Sequence, residues 1–145
     1  MKRVILTSSV AAVSAGHPSR TTPFTEEDWS DLESSKPVAA YPKSKTIAEK
    51  AAWEWAKEAG NATELVTVNP VLVFGPIITK EAKTSVQAVK KLMDGSVPGC
   101  PALYISSVDV RDVSCFQFIL SNHVRHFHAR DGNTSKLHSL VGTTS

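Results

Sequence analysis

The segment KSKTIAEKAAWEWAKEAGNATELVTV, residues 43–68, decides the fold because it joins a long helix to a buried strand. Its first part is rich in Ala, Glu and Lys, which are strong helix formers, and Gly60 is a typical helix stop. The run Leu65-Val66-Thr67-Val68 then has the apolar character of a strand that is covered on both faces. The sequence therefore predicts a helix over 43–59 followed by a strand.

The predicted helix carries an apolar stripe of helical period, which consists of Ile47, Ala48, Ala51, Ala52 and Trp55. Its small alanines allow a close approach of a neighbouring element. We expect this stripe to pack either on a sheet or on a partner helix.

A second apolar run, Val4-Ile5-Leu6, lies upstream and ends in the hydroxyls of Thr7, Ser8 and Ser9. A strand, a long crossover that contains a helix, and a second strand make a βαβ unit, which is parallel and right-handed. The fold class is therefore α/β.

Downstream of this unit we expect three further elements. They are an apolar segment at 71–74, an amphipathic helix over 80–94 with Val86, Val89 and Leu92 facing inward, and a short strand leading into a helix within 104–113.

The length and charge of the chain limit the classes of partner that it can have. The chain has 145 residues, enough for one modest domain, and a formal net charge of +2 with dispersed Lys and Arg. This balance argues against a nucleic-acid partner, and no apolar run reaches transmembrane length. The N-terminus imitates a signal peptide, but Thr7-Ser8-Ser9 interrupts its apolar run. We therefore expect a cytoplasmic protein without a membrane partner.

Three histidines, His123, His126 and His128, lie close together near the C-terminus. They have no accompanying Cys, and their spacing suits no standard zinc site. We therefore predict no metal site.

Tyr41 and Lys45 open the predicted helix in the run Tyr41-Pro42-Lys43-Ser44-Lys45. Residues spaced i, i+4 project from one helix face. A phenol by itself ionises near pH ~10, and a neighbouring ammonium favours its phenolate form. The pair is therefore suited to proton transfer near neutral pH. The alternative is a surface helix start that carries this spacing by chance.

Several segments together resemble the extended short-chain dehydrogenase/reductase family (the NAD-dependent epimerase/dehydratase family), in its dihydroflavonol reductase and cinnamoyl-CoA reductase-like branch. They are RVILTSSV at 3–10, WSDL at 29–32, YPKSK at 41–45 with Ala48-Glu49, VNPVLVFGP at 68–76 and VDVRDV at 108–113. The resemblance implies a doubly wound parallel, Rossmann-like sheet that lacks its N-terminal nucleotide-binding half. It covers residues 1–113 as the catalytic half of a reductase domain, and we expect 114–145 to be a divergent, poorly ordered tail.

The resemblance also implies site residues. Ser9, Tyr41 and Lys45 would form a catalytic triad that reduces a ketone, aldehyde or acyl-CoA type carbonyl to an alcohol, with NAD or NADP as cofactor. Ser9 would hydrogen-bond the carbonyl oxygen, Tyr41 would deliver the proton, and Lys45 would stabilise the phenolate and bind the nicotinamide ribose. Tyr41, Lys45, Asn69 and Pro70 would contact the cofactor, and residues 71–79 would border the small-molecule substrate.

One family feature is missing. The seven glycines are dispersed, and none forms the G-x-x-G-x-x-G loop that lets a backbone approach the cofactor diphosphate. We therefore expect cofactor binding and turnover by this chain to be weak or absent. Two alternatives stay open, namely a non-catalytic fragment that binds a partner or forms a homodimer through the 43–59 helix, and a sugar-nucleotide epimerase or dehydratase of the same superfamily.

Overall fold

A computed structural model describes residues 3–58, 63–78, 84–97, 99, 106–122 and 135–137. The strands are β1 (Arg3–Thr7), β2 (Glu64–Val68), β3 (Leu72–Phe74), β4 (Ser107–Asp109) and β5 (Ser135–Leu137). The helices are α1 (Ala40–Glu58), α2 (Thr84–Met93) and α3 (Val110–Asn122), and a 3₁₀ turn spans Val10–Ala12. None of these helices is long and apolar enough to cross a bilayer.

The strands form two small parallel sheets. In the larger sheet the order is β1-β2-β5, and β1 pairs with β2 from Arg3 opposite Glu64 to Thr7 opposite Val68. In the smaller sheet β3 pairs with β4. The parallel β1–α1–β2 connection confirms the predicted βαβ unit. β2 is buried from Leu65 to Val68, as its continuous apolar run predicted.

Side chains alternate along a strand, so the larger sheet has two faces. A helix packs on each of them. Val66 and Val68 on one face pack with Leu120 of α3, and Ile5 and Phe116 lie against this cluster. On the opposite face, α1 packs against β2 and the 3₁₀ turn. The ends of β1 and β2 therefore meet between two helices.

Helix α1 confirms the predicted helix but buries a different face. Thr46, Glu49 and Ala56 are buried, whereas Ile47 is 60% and Trp55 is 48% exposed. The interpretation that the apolar stripe packs on the sheet is therefore wrong. The physical reason is a hydrogen bond from Asn69 at the end of β2 to Glu49, which turns a polar row of the helix inward.

Helix α2 also exposes side chains that were expected to face inward. Val89 is 37% and Leu92 is 54% exposed, while Val86 is half-buried. This helix packs against the three-residue strand β3. The helix itself is confirmed, and the inward orientation of Val89 and Leu92 is wrong.

Helix α3 continues beyond the boundary that was predicted after Val113. Phe116 and Leu120 from this continuation pack on the sheet, and β5 pairs with β2 still further along the chain. The boundary therefore falls inside a helix. The remainder of the predicted tail, including His123, His126 and His128, lies outside the described residues.

The loop between the 3₁₀ turn and α1 is hydrogen-bonded to that turn through one buried serine, Ser30. The Ser30 hydroxyl donates to the Ala11 carbonyl and accepts the Ala15 N–H, both at 2.9 Å. The Ser30 N–H donates to Ala12 O, also at 2.9 Å. Ser30 therefore bonds the loop directly to Ala11 and Ala12 of the 3₁₀ turn.

Gly16 provides a stability test of this loop, with Gly95 as its matched control. Gly16 has φ +83°, and a Cβ there would lie 2.0 Å from the Asp31 carbonyl oxygen. Gly95 has φ +75°, but a Cβ there meets nothing within 4 Å. Both alanine variants incur left-handed strain of about 1–2 kcal/mol, and Gly16→Ala adds a backbone clash. In urea unfolding we expect Gly16→Ala to be less stable than Gly95→Ala by at least ~2 kcal/mol. Equal losses would contradict the fastened loop.

Candidate functional site

Ser9 follows β1 at the sheet edge where the parallel strands end. It caps the 3₁₀ turn, and its Oγ accepts the Ala11 N–H at 3.2 Å. Because that contact uses a lone pair, the hydroxyl hydrogen can still be donated to a ligand. The neighbouring Ser8 differs, since its buried Oγ has no hydrogen-bond partner among the described residues. Of the two serines, only Ser9 has a hydroxyl oxygen that a described hydrogen bond holds in position.

Tyr41 and Lys45 lie one turn apart at the start of α1, as predicted. Tyr41 is 57% exposed, and Lys45 Nζ lies 5.9 Å from the centre of its ring. At this distance the ammonium is attracted to the π-face, and the two side chains share one helix face. The structure thus presents a phenol and an ammonium together at an accessible end of the helix.

Asn69 connects the Ser9 segment to the helix of Tyr41 and Lys45. Its Nδ2 donates to the Ser9 carbonyl oxygen at 3.1 Å and to Glu49 Oε2 at 2.8 Å. Glu49 lies on α1, one turn beyond Lys45, and its side chain is fully buried. One amide group therefore joins the two segments that carry the predicted triad.

Glu49 was not predicted as a site residue. The available signal was its spacing, because Tyr41, Lys45 and Glu49 repeat at i, i+4 and i+8 along one face. The apolar stripe of the helix does not include this row, because the residue buried in it carries a carboxyl group.

Asn69 and Pro70, predicted to contact the cofactor, are both buried. Asn69 is 1% exposed, and both of its N–H groups face protein acceptors. The Pro70 carbonyl accepts the Val10 N–H at 3.1 Å, and Pro70 also lines a pocket. These contacts hold the strand ends together, and a direct contact with a cofactor stays a prediction for both residues.

An apolar pocket opens beside Pro70. Its walls come from the strand ends and from the beginning of α3: Val68, Pro70, Val71, Val108, Asp112, Val113 and Phe116. Asp112 contributes the one ionisable side chain among these lining residues. Val71, the first of the residues predicted to border the substrate, therefore lines a pocket suited to an apolar group.

The beginning of α3 is held by an ion pair. Asp109 Oδ1 accepts the Arg111 backbone N–H at 2.8 Å, and Asp109 Oδ2 lies 2.7 Å from Arg111 Nη2. Hydrogen bonds from the Arg111 side chain and then its backbone lower the pKa of Asp109 from 3.8 to about 2. The charged carboxylate therefore caps the helix beside the pocket.

The described residues fit one end of a nicotinamide nucleotide. The exposed Tyr41 and the half-buried Lys45 offer an O–H and an ammonium of the kind that binds ribose hydroxyls. For the diphosphate no equivalent group is found in the described ranges. The glycines with positive φ, at 16, 75, 95 and 99, lie in separate turns and form no continuous loop.

Comparison with known proteins identifies relatives that match most of this chain. The model of the NAD dependent epimerase/dehydratase family matches residues 1–112. The NADPH-dependent methylglyoxal reductase of Saccharomyces cerevisiae is 41% identical over 128 residues, which cover 79% of this chain and 37% of that protein. Cinnamoyl-CoA reductase 1 of Arabidopsis thaliana is 41% identical over 117 residues, covering 79% of this chain and 33% of that protein.

A solved structure shows the same likeness. The crystal structure of yeast methylglyoxal/isovaleraldehyde reductase complexed with NADPH matches with a TM-score of 0.70 at 37% identity. The match covers 94% of this chain and 43% of that one. This chain thus spans less than half the length of these relatives. The Rossmann-like α/β fold predicted from the sequence is confirmed.

Asp109→Asn tests the charged cap of α3. The asparagine keeps an oxygen for the Arg111 N–H but removes the charge. Because folding lowers the pKa of Asp109, its charge stabilises the fold above pH 3.8, and this contribution disappears as the pH falls through about 2. We expect the variant to unfold more easily than the parent near neutral pH and the difference to shrink between those values.

Asp31→Asn is the matched control, measured by urea unfolding across the same pH range. Asp31 Oδ1 also accepts a backbone N–H, from Glu33 at 3.1 Å, and Asp31 forms no ion pair with any described residue. A difference for Asp109→Asn that stays constant at every pH would refute the charge contribution.

Proposed function

Because this chain belongs to the NAD dependent epimerase/dehydratase family, we propose that it carries the proton-transfer half of an NAD(P)-dependent carbonyl reductase. The observation that supports this most is the placement of Tyr41 and Lys45, with Nζ 5.9 Å from the ring centre, on the helix that Asn69 joins to Ser9. The reductases among the relatives favour a reductase over a sugar-nucleotide epimerase or dehydratase.

Each residue has a distinct chemical role in this proposal. The Ser9 hydroxyl, held by the Ala11 N–H, donates to the substrate carbonyl oxygen and polarises it. Tyr41 gives its phenolic proton to that oxygen as the carbonyl carbon is reduced. Lys45 stabilises the phenolate that remains and binds the nicotinamide ribose hydroxyls. A bound NADH or NADPH would supply the hydride.

The proposed substrate is a small ketone or aldehyde, which one hydride and one proton convert to an alcohol, or an acyl-CoA type carbonyl compound, whose first reduction releases the CoA thiolate and leaves an aldehyde. The methylglyoxal and cinnamoyl-CoA reductases among the relatives support this substrate class. With no glycine loop in the sequence, we expect weak cofactor affinity and slow turnover by this chain. A cytoplasmic location belongs to the same proposal.

Tyr41→Phe tests the proposed acid. The chain would be mixed with NADPH deuterated at the transferable C4 position and with methylglyoxal, and deuterium in the alcohol product would be measured by mass spectrometry. We expect slow transfer by the parent and a loss of at least ~100-fold in Tyr41→Phe, because a positioned proton donor contributes about this much. NADPH binding, followed by cofactor fluorescence, should weaken only by the loss of one hydrogen bond from the phenol and should not be abolished.

The adjacent serines supply the matched controls. Ser9→Ala should also slow the transfer, whereas Ser8→Ala should not, since the Ser8 hydroxyl takes no part in the proposed chemistry and its Oγ has no hydrogen-bond partner among the described residues. Equal transfer by Tyr41→Phe and the parent would refute the role of Tyr41. A parent chain with neither saturable NADPH binding nor deuterium transfer would overturn catalysis by this polypeptide.

A second candidate function, homodimerisation through the 43–59 helix, has one specific observation in its favour. Ile47, Ala51 and Trp55 are exposed and repeat at i, i+4 and i+8 along α1. Such a row matches the anchor spacing of a helix that packs on another helix. The proposed partner is a second copy of this chain.

Ile47→Glu tests this dimer. Analytical ultracentrifugation over a concentration series should show a parent that dimerises and a variant whose dissociation constant is raised at least ~10-fold, equivalent to about 1.4 kcal/mol. Ile78→Glu is the control, because Ile78 is likewise an exposed isoleucine but lies outside α1. A parent that stays monomeric throughout, or two variants that behave alike, would exclude the α1 dimer.

A further inference from the structure

We propose that Glu49 is a positioning residue that fixes Ser9 relative to Tyr41 and Lys45 by orienting the side-chain amide of Asn69. Glu49 would not contact substrate or cofactor. Its effect would pass through one hydrogen bond to Asn69 and a second from Asn69 to the Ser9 carbonyl. This inference rests on the proposed function where it concerns catalysis, but the hydrogen-bonded connection can be tested separately.

The burial of Glu49 demands a physical explanation. Its side chain is 0% exposed, and no described Lys, Arg or His forms an ion pair with it. A buried carboxyl group destabilises a fold unless its oxygens are hydrogen-bonded. Here Oε2 accepts from Asn69 Nδ2 at 2.8 Å, and Oε1 accepts from Trp53 Nε1 at 3.4 Å. The shorter of these contacts is the one directed toward the site.

Asn69 can satisfy these contacts in one orientation of its amide. Both neighbouring groups, the Ser9 carbonyl and the Glu49 carboxyl, offer acceptor oxygens, so the NH₂ group must face them. A flipped amide would place oxygen against oxygen on both sides. Asn69 Oδ1 consequently points away, and this buried atom has no partner among the described residues. An unsatisfied buried acceptor is unfavourable, which indicates that the two donated bonds determine the orientation.

The position of Glu49 on α1 gives this contact a geometric effect. Tyr41, Lys45 and Glu49 occupy successive turns of the same face, from the exposed helix start to the buried centre. Fixing Glu49 against the end of β2 therefore fixes the rotation of α1 about its axis. The direction in which Tyr41 and Lys45 project follows from that rotation.

Ser9 accepts the second hydrogen bond of the Asn69 amide. Its carbonyl accepts from Asn69, and its Oγ accepts the Ala11 N–H two residues along the chain. With the backbone and the hydroxyl both held, the distance between the Ser9 hydroxyl and the Tyr41 phenol depends on Asn69 and Glu49. Misplacement by about 1 Å can lower a rate by up to ~100-fold.

The experiment separates this role from simple stabilisation of the core. Glu49→Leu removes the acceptor and leaves an Asn69 N–H unsatisfied. Glu49→Gln keeps an oxygen that can accept from Asn69. The double variant Glu49→Gln/Asn69→Asp reverses the pair, since the new glutamine amide can donate to the new aspartate, but that aspartate no longer donates to the Ser9 carbonyl. Glu54→Leu, at an exposed position of α1, is the control.

Three measurements are made on each full chain: stability in urea, the carbonyl ¹³C NMR signal of Ser9, and deuterium transfer from C4-deuterated NADPH to methylglyoxal. We expect Glu49→Leu to lose stability, shift the Ser9 signal and slow the transfer about 10- to 100-fold. Glu49→Gln should lie between Glu49→Leu and the parent. Glu54→Leu should match the parent in all three measurements.

The double variant decides the question. We expect it to be more stable than Asn69→Asp alone, because a donor again faces an acceptor, while its Ser9 signal stays shifted and its transfer stays slow. Recovery of all three properties would overturn the positioning role and leave a structural pair. An unshifted Ser9 signal in both Glu49→Leu and the double variant would also overturn it. If the parent transfers no deuterium, the proposed function fails, and the Ser9 signal together with stability still decides whether Glu49 positions Ser9.

Discussion

The amide of Asn69 is the constraint on which the arrangement of the site depends. Parallel strands end at one edge of the sheet, but that edge alone does not determine how a neighbouring helix is rotated. Two hydrogen bonds from one nitrogen, at 3.1 Å to Ser9 O and 2.8 Å to Glu49 Oε2, remove this freedom. Because the amide is buried, water cannot replace either bond cheaply.

The same interaction explains why α1 exposes apolar side chains. A helix with a buried glutamate must turn that face toward the hydrogen-bond donor, and its opposite face then points outward. Ile47 and Trp55 are exposed for this reason, although their burial would remove more apolar surface from water. The requirement to satisfy a buried polar group outweighs apolar area at this helix, and it leaves an apolar row that a partner could cover.

Much of the fold could be predicted from local sequence, and the part that could not depends on tertiary hydrogen bonds. The run Leu65–Val68 specified its strand, and the composition of 43–59 specified its helix, because apolar character and helix propensity are properties of neighbouring residues. The buried face of α1 depended on Asn69, a residue far along the chain. The extension of α3 depended on Leu120 meeting the Val66 face. The spacing of Tyr41 and Lys45 predicted their proximity, and the same spacing extends to Glu49, but only the tertiary contact with Asn69 distinguishes that carboxyl group from an exposed one.

The proposed proton transfer and the affinity for a cofactor depend on different residues of this chain. The contacts that hold Ser9, through Ala11, Asn69 and the loop fastened by Ser30, all lie within the described residues. Affinity for a dinucleotide instead depends largely on backbone groups around its diphosphate, and the dispersed glycines do not provide them. The proposed acid chemistry and the weak cofactor binding that we expect are therefore compatible in one chain, because different residues determine each property.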